Sequence, residues 1–362
     1  MILTIMKTAK SLLFILFVLQ LTITSCIHKK DTKTDENILP GTTGVKQIYD
    51  PLPSWNDTKT KNRIIDFVKT VTTKDSAGYI EQADRIAVLD NDGTLWSEQP
   101  TYFQIEFVLY RIKQLAPSHP KWKKDKLIKT AINHDLKTLR KKYGVNGLGK
   151  LMAIAQSGMT TGEFEKTVQK WIKNAKHPIT GKLFSEMTFQ PMLELMDYLK
   201  KNEFKVYIVS GGGNDFMRAW TKDVYGIPKE RVLGSYQELE YKKINGKPVL
   251  IKLPDVLFVD DNEGKVKAIH RVIGKKPVIA FGNSDGDLQM LEWCSANKHK
   301  SLSAFIHHTD SKREWAYDRS SPIGRLNKGL DEAVKKGWLI VDMKKDWKYV
   351  HPFEINEQAA AK

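Results

Sequence analysis

The stretch that decides the fold runs Arg85-Ile-Ala-Val-Leu-Asp90-Asn-Asp92-Gly-Thr-Leu-Trp96. Residues 86–89 are four consecutive apolar residues, which is the pattern of a short, fully buried strand. Asp90 and Asp92 follow at the end of that strand, and Gly93 allows a sharp turn after them. Two carboxylates spaced i, i+2 are difficult to bury together. The pair therefore indicates either a site for a cation or phosphoryl group, or an ordinary Asp-rich turn.

Four segments of the chain resemble the motifs of one enzyme family, in that family's order. Asp90-Asn-Asp92-Gly-Thr-Leu resembles motif I of the haloacid-dehalogenase-like (HAD) phosphohydrolases. Val206-Tyr-Ile-Val-Ser210-Gly-Gly resembles motif II, and its Ser-Gly-Gly form is similar to that of phosphoserine phosphatases. The segment from Asp260 to Lys265 resembles motif III, and Gly282-Asn-Ser-Asp285-Gly-Asp287 resembles motif IV.

The resemblance implies an α/β fold, an open parallel (Rossmann-like) core sheet with an inserted all-helical cap domain. The site of such a sheet lies at the carboxyl ends of its strands. In the family, the first Asp of motif I is the nucleophile and the second is the general acid/base, which assigns Asp90 and Asp92. Ser210 and the backbone N–H of Gly211 would hold phosphoryl oxygens, because a hydroxyl and glycine-exposed amides at a strand end form a phosphate cradle.

The motif III lysine pairs with the nucleophile and with the phosphoryl oxygens in this family. Lys265 is the predicted residue, since it follows Gly264 one helix before the next strand. Lys267 and Lys275 are alternatives, because one lysine among many is a weak signal.

Mg²⁺ is the cofactor that the resemblance implies, and this ion prefers oxygen ligands. The expected ligands are the Asp90 carboxylate, the Asp92 backbone carbonyl and the motif IV loop. Most family members carry Asp directly after the glycine of that loop, whereas this chain has the neutral Asn283. The sequence leaves open whether Asn283 or Asp287 is the direct ligand.

Residues 97–189 contain several segments with apolar residues at helical spacing and no convincing strand. A crossover between parallel strands needs little more than a dozen residues, so this span predicts an inserted domain. In the family, an insertion at this point is a helical cap that carries substrate choice. Trp96, Glu98 and Gln99, at the hinge, are the predicted substrate contacts, and packing in the core is the alternative for Trp96.

Two further patterns are expected to lie near the site or at the sheet edge. The segment 239–253 predicts a β-hairpin around Asn245-Gly246. His307, His308 and Asp310 follow a predicted strand. With no other His or Cys at convincing ligand spacing, they are predicted to be loop residues near the active-site rim, not a metal cluster.

The N-terminus resembles a bacterial lipoprotein signal. Lys7 and Lys10 precede an apolar run, and Ile23-Thr-Ser-Cys26 resembles a lipobox, in which Cys26 becomes the lipidated N-terminus. A plain secretory peptide or an uncleaved anchor are the alternatives. The expected partner is thus a membrane, through a lipid on Cys26. The expected location is the bacterial cell envelope, on the periplasmic side or at the outer membrane.

These observations predict four parts: a signal peptide (1–25), a polar tether (26–57), a core domain (58–96 and 190–350) and a helical cap (97–189). The formal net charge of +16 favours anionic substrates or surfaces. No basic-aromatic array accompanies it, so nucleic acid is not expected, and a solvated basic surface is the favoured explanation of the charge. The family resemblance implies a small phosphorylated substrate. Two cysteines do not imply a disulfide framework.

The predicted function is a Mg²⁺-dependent phosphomonoester hydrolase that acts through an aspartyl-phosphate. A dehalogenase of the same fold would lack the second Asp of motif I, so Asp92 argues against it. A phosphotransferase would share every motif. A non-catalytic ligand-binding lipoprotein is the alternative from another class, and the loss of Asp90 or Asp92 would have favoured it.

Overall fold

The computed structural model describes residues 50–360, in which eight strands form one mixed sheet. Its order is β4-β3-β2-β1-β5-β6-β7, and β8 also pairs with β6. Strands β3, β2, β1, β5, β6 and β8 are parallel, whereas β4 and β7 join antiparallel. The predicted parallel-dominated α/β fold is confirmed. The strands are β1 (Ile86–Leu89), β2 (Lys205–Gly213), β3 (Val232–Ile244), β4 (Lys247–Phe258), β5 (Ile279–Gly282), β6 (Leu302–Thr309), β7 (Ala316–Tyr317) and β8 (Leu339–Asp342).

Helices cover both faces of this sheet. Alternate residues of a strand point to opposite faces, and those of β1 join two different hydrophobic clusters. None of the helices in the described part of the chain is long and apolar enough to cross a bilayer. The α-helices are α1 (Lys59–Thr72), α2 (Phe103–Leu115), α3 (Lys126–Ile132), α4 (Leu136–Thr138), α5 (Gly144–Gln156), α6 (Thr161–Ile172), α7 (Gln190–Lys201), α8 (Asn214–Arg218), α9 (Thr221–Tyr225), α10 (Glu263–Val272), α11 (Leu288–Ser295), α12 (Lys328–Lys336), α13 (Met343–Asp346) and α14 (Pro352–Ala360).

The central strand β1 places three motif loops at one edge of the sheet. Leu89, its last residue, pairs with Ile208 of β2 on one side and with Phe281 of β5 on the other. The backbone N–H of Asp90 continues the ladder by donating to the Phe281 carbonyl at 2.9 Å. The loops after β1, β2 and β5 therefore emerge together at the carboxyl ends of the strands, where ligands bind in open parallel sheets.

The insertion, residues 97–189, contains helices α2 to α6 and none of the eight strands. An aromatic cluster joins it to the core: Phe107 of α2 lies at 5.7 Å from Phe164 of α6 and at 5.5 Å from Phe216 of α8, between ring centroids. Helix α5, with three glycines between residues 144 and 149, was not predicted, because glycine is a weak helix former.

The hairpin, strands β3 and β4, turns at Asn245-Gly246 as predicted, and both turn residues have positive φ. The hairpin is longer than the predicted segment. It also contacts the insertion, in addition to forming an edge of the sheet. The backbone of Lys252 in β4 donates to Met159 O and accepts from Gly158 N, each at 2.9 Å. These two bonds connect the hairpin to the insertion.

The predicted extent of the tether needs correction. Residues 1–49, with the predicted signal peptide and Cys26, lie outside the described residues, but the end of the predicted tether does not. Leu52 and Trp55 are buried, and Trp55 forms a bridge with Trp347, because their large apolar side chains pack on the core. The Thr58 side chain caps helix α1. Strand β8 was not predicted from the sequence.

Candidate active site

The site begins at the turn that follows β1. Asp90 is buried at the strand end, and Asp92 is half-buried two residues later. Gly93 adopts φ +73°, and a Cβ at this position would overlap the side chains of Asn283 and Glu98. A glycine is thus required here for two reasons, the backbone conformation and the close approach of another loop.

Lys265, at the start of α10, holds two carboxylates together. Its Nζ lies at 2.6 Å from Asp90 Oδ1, at 2.6 Å from Asp287 Oδ1 and at 2.9 Å from the Val209 carbonyl. The two alternative lysines are elsewhere: Lys267 pairs with Glu263 and Lys275 with Asp84, both on the surface. Of the three candidates, only Lys265 reaches the predicted nucleophile.

The Gly-rich end of β2 faces the two aspartates. The Ser210 hydroxyl lies at 3.5 Å from Asp92 Oδ2 and accepts from the Gly212 N–H at 3.1 Å. Gly211 is exposed. The structure thus brings Ser210, Lys265, Asp90 and Asp92 together, as predicted, while their chemical roles stay predictions.

The motif IV loop places Asp287 and Asn283 in different surroundings. The second carboxylate oxygen of Asp287 accepts from the backbone N–H groups of Asn283 and Ser284, at 3.0 and 3.1 Å. Asp285 points away and accepts from the backbone at the start of α12. The Asn283 amide donates to Glu98 Oε1 at 2.7 Å, and its oxygen accepts from Thr94 at 3.2 Å.

The Glu98 carboxylate already has two hydrogen-bond partners within the protein. Its Oε1 accepts from Asn283 and also from the Tyr317 hydroxyl, at 2.8 Å. It was predicted to contact substrate, and it does line the cavity of the site. Its hydrogen bonds instead connect the first residues of the insertion to the motif IV loop.

Burial dominates the electrostatics of the site. Burial raises the pKa of Asp90 well above its usual value, and the Asp287 charge adds to this, against the opposing effect of Lys265. Burial also raises the pKa of Asp92 and of Glu98. For Lys265, burial alone would lower the pKa, but the two neighbouring aspartates outweigh it and raise the pKa above its usual value.

The donor set fits a hard divalent cation. The buried Lys265 ammonium is paired with Asp90 and Asp287, and the carboxyl groups of Asp92 and Glu98 line the same cavity. The excess of acidic oxygens at the strand ends is the chemistry that Mg²⁺ binds. Within residues 50–360, however, no three His, Cys, Asp or Glu side chains converge as a preformed metal cluster. The fit thus depends on backbone carbonyls and an amide besides carboxylates.

Three contacts at the site were not predicted from the sequence. The Trp96 indole N–H donates to Asp92 Oδ1 at 2.8 Å, and its ring stacks on Trp220. His308 Nε2 donates to the Gly93 carbonyl at 2.8 Å. The prediction of loop histidines was wrong, because His307 and His308 lie on strand β6, whose ladder continues three residues beyond the predicted end.

The haloacid dehalogenase-like hydrolase family matches residues 87–292, more than half of the chain, and this span includes all four motif segments. The chain belongs to the haloacid dehalogenase-like hydrolase family. The family assignment confirms the resemblance given by the motifs and the prediction of an enzyme of the hydrolase class. No curated protein matches the chain.

Several solved structures resemble the chain at low identity. A conserved protein of unknown function from Anaerococcus prevotii DSM 20548 has a TM-score of 0.51 at 17% identity, with 80% of this chain and 93% of that chain covered. A probable phosphoserine phosphatase from Vibrio cholerae has a TM-score of 0.35 at 16% identity, covering 71% and 68%. A substrate-bound phosphoserine phosphatase has 0.32 at 16%, covering 70% and 98%. At this identity the similarity to the first structure supports the fold alone. The TM-scores of the other two structures are too low to support a conclusion.

The bond between Glu98 and Asn283 predicts an effect on stability. Asn283→Asp replaces the amide donor by a second carboxylate 2.7 Å from Glu98. We expect the free energy of unfolding to fall by about 1–3 kcal/mol, the usual cost of an unsatisfied buried polar group. Glu98→Gln in the same chain restores a donor and should recover most of the loss. Denaturant unfolding in EDTA, over the full double-mutant cycle, measures this. Additive effects of the two substitutions would contradict the coupling.

Asp260 is a buried carboxyl group beside the site, and neither of its oxygens has a hydrogen-bond partner among residues 50–360. Burial raises its pKa from 3.8 to about 7, against the opposing charge of Lys265. Between these values the unfolded chain loses the proton while the folded chain retains it, so the folded state loses stability as pH rises. At 1.36 kcal/mol per pKa unit the loss is up to about 4 kcal/mol.

Asp260→Asn removes this ionisation. We expect the variant to unfold at a higher temperature than the wild type near pH 8 and at a similar temperature near pH 4. Thermal unfolding at both pH values is the measurement. The control is Asp261→Asn, which removes the same charge from an exposed neighbour. Equal stabilisation by both substitutions would show that burial of Asp260 is not the cause.

Proposed function

We propose that this protein is a Mg²⁺-dependent phosphomonoester hydrolase that acts through an aspartyl-phosphate intermediate. The observation that carries the proposal is the position of Lys265 between Asp90 and Asp287, with Asp92 and Ser210 beside them. A phosphoryl group bound there would contact the Asp90 carboxylate as nucleophile, the Lys265 ammonium group and the Ser210 hydroxyl as a hydrogen-bond donor. Membership of the hydrolase family supports it.

The residues divide the reaction into two displacements. The Asp90 carboxylate attacks phosphorus in line, so that an O–P bond forms and the bond to the leaving alcohol breaks. Asp92 gives a proton to the leaving oxygen, and then takes one from the water that hydrolyses the aspartyl-phosphate. Trp96 holds Asp92 in place by its N–H. Lys265 and Ser210 stabilise the phosphoryl oxygens.

The cation would be held by Asp90, by the Asp92 carbonyl and by Asn283 or Asp287. When bound, it would offset the repulsion between the carboxylate nucleophile and the phosphate dianion. Asp287 already shares one oxygen with Lys265, and the Asn283 amide donates to Glu98. Of the two candidate ligands, these contacts favour the side-chain oxygen of Asn283. The hydrogen bond that it accepts from Thr94 is 3.2 Å long, whereas Asp287 accepts from Lys265 at 2.6 Å.

A screen of phosphomonoesters with and without Mg²⁺ tests the proposal. We expect phosphate release that EDTA removes, and a phosphorylated Asp90 in acid-quenched protein, detected by peptide mass. A phosphotransferase would transfer the group to added alcohols in preference to water, and that result would replace hydrolysis with transfer. A protein that neither releases phosphate nor labels Asp90 with any ester would overturn the proposal.

We also propose that residues 97–189 act as the cap over the site. The helical content of this insertion supports the proposal.

We further propose that the chain is a lipoprotein of the bacterial envelope, lipidated on Cys26. The charged and apolar pattern of the N-terminal sequence supports this proposal.

Cys26→Ala is expected to abolish lipid incorporation and to release the protein from the membrane fraction. Metabolic labelling with a fatty-acid probe, followed by membrane fractionation, measures both. Cys294→Ala is the matched control, because that thiol is buried in the core. Labelling that persists in Cys26→Ala would exclude this residue as the acceptor.

A further inference from the structure

A cavity of about 430 Å³ adjoins the reaction centre and is large enough for a leaving group of substantial size. It lies between the insertion and the sheet. One wall comes from α2 and α5 of the insertion, and the other from α8, β3 and β4. Most of the lining away from Asp90 is apolar, including Ile105, Leu148, Met152, Phe216, Tyr236 and Val256.

Among the cavity-lining residues that the structure describes, Asp261 is the one charged group that belongs neither to the reaction centre nor to an ion pair. Lys252 is buried in it, but its ammonium pairs with Asp215 and lies over the Phe164 ring at 4.8 Å. Asp261 is exposed to solvent, and among residues 50–360 no arginine lines the cavity. The other charged lining residues, Asp90, Asp92, Glu98 and Lys265, belong to the reaction centre or are bonded to it.

Two buried amides in the cavity wall have unused hydrogen-bonding atoms. Gln104 is 6% exposed; its oxygen accepts from the Gly213 N–H at 2.7 Å, but its Nε2 donor has no partner in the described chain. Gln237 is 8% exposed, and its Oε1 acceptor likewise has none within residues 50–360. Buried polar atoms are normally paired, so rotation of either amide toward the cavity, where a ligand group would pair with it, is favourable.

Gln104 lies beside the predicted acid. A Cβ added at Gly212 would lie 3.5 Å from Gln104 Oε1 and 3.6 Å from Asp92 Oδ2. Both side chains thus lie against the same glycine of the motif II loop, and both line the cavity. A hydrogen-bond acceptor on the leaving group would pair with the Gln104 Nε2.

We propose that the substrate is a phosphomonoester of an uncharged alcohol with a ring or branched apolar body. It carries a hydrogen-bond acceptor for Gln104 and a donor for Gln237. This inference rests on the proposed hydrolase function. Amino-acid phosphates are poor substrates under it, because their carboxylate would enter an apolar cavity without a cationic partner, and burying an unpaired charge is strongly unfavourable.

Matched substrates test this on the full-length wild type. O-phosphotyrosine and 4-propylphenyl phosphate share a phenolic leaving oxygen and a similar size, and differ in the charged groups. We expect kcat/KM, followed by phosphate release, to be about 10–100-fold higher for 4-propylphenyl phosphate, since each factor of ten needs only about 1.4 kcal/mol. The pair of 2-methylpropyl phosphate and O-phosphoserine repeats the comparison for alkyl esters.

A charge placed in the apolar wall should redirect the preference. Met152→Lys, with Leu148→Lys as a second variant on the same helix, is expected to raise kcat/KM for 4-(2-carboxyethyl)phenyl phosphate at least about 10-fold relative to 4-propylphenyl phosphate. Asn146→Lys is the control, because it adds the same charge at an exposed position of α5. A shift in either wall variant but not in this control supports the inference.

The outcomes separate the two proposals. Equal or better hydrolysis of O-phosphotyrosine overturns the uncharged substrate class and leaves the phosphatase function in place. Hydrolysis of no ester, with no labelling of Asp90, overturns the function and this inference with it. A clear preference for the uncharged ester of each pair supports both.

Discussion

Replacing Asp90 by asparagine is expected to abolish phosphate release from every phosphomonoester that the wild type hydrolyses. The amide keeps the shape of the side chain but cannot form the acyl phosphate. Removal of a covalent nucleophile in other enzymes lowers kcat on the order of 10⁶-fold. The measurement is the initial rate of 4-nitrophenyl phosphate hydrolysis. A no-enzyme blank sets the lowest rate that can be detected.

Two controls make this result specific. The variant should retain the wild-type unfolding transition, because Lys265 keeps its bond to Asp287. It should bind Mg²⁺ more weakly but measurably, because the amide oxygen of Asn replaces one charged ligand. Asp285→Asn removes a carboxylate from the same edge of the sheet, where it caps α12 and does not face the phosphate. Turnover by Asp90→Asn at the wild-type rate, in protein free of deamidated chain, would falsify the nucleophile assignment.

Asp92→Asn is expected to lower kcat by about 10²–10⁴-fold, the usual contribution of general acid/base catalysis. The loss should depend on the leaving group. Alkyl esters need protonation of the departing oxygen, so they should suffer most. With 4-nitrophenyl phosphate, whose phenolate leaves unaided, the variant should release a rapid burst of nitrophenol and then turn over slowly, since hydrolysis of the aspartyl-phosphate also lacks its base.

The matched control for this variant is Trp96→Phe. It keeps the ring that stacks on Trp220 but removes the N–H that positions Asp92. A smaller loss with the same dependence on leaving group is expected. If Asp92→Asn slowed alkyl and nitrophenyl esters by the same factor and gave no burst, Asp92 would not be the proton donor.

The part of the site that could be predicted from the sequence consists of residues in short continuous segments at strand ends. Each of the strands β1, β2 and β5 is a short apolar run that ends on polar residues, and parallel pairing brings such ends together. The adjacency of Asp90, Ser210 and the motif IV loop therefore follows from three separate stretches. The choice of Lys265 over its neighbours came from the family resemblance, and the distances support it.

The contacts that could not be predicted join residues far apart in sequence. Tyr317 and Glu98 are separated by 219 positions, and their bond depends on how β7 and the insertion pack. Gln104 and Lys252 look like ordinary surface residues in the sequence, because the pattern gives no sign that another element covers them. Strand β8 was missed because a short apolar run fits a buried strand or a buried helix equally well.

The two backbone bonds between Lys252 and residues 158–159 make the hairpin and the insertion a single mechanical unit. An insertion that swung away alone would have to break both bonds, and would uncover the charged pair that Lys252 forms with Asp215. Entry and departure of ligands should therefore involve both elements moving together. Changes in the hairpin turn, remote from phosphorus, should alter how long the alcohol product stays bound without altering how fast its bond is cut.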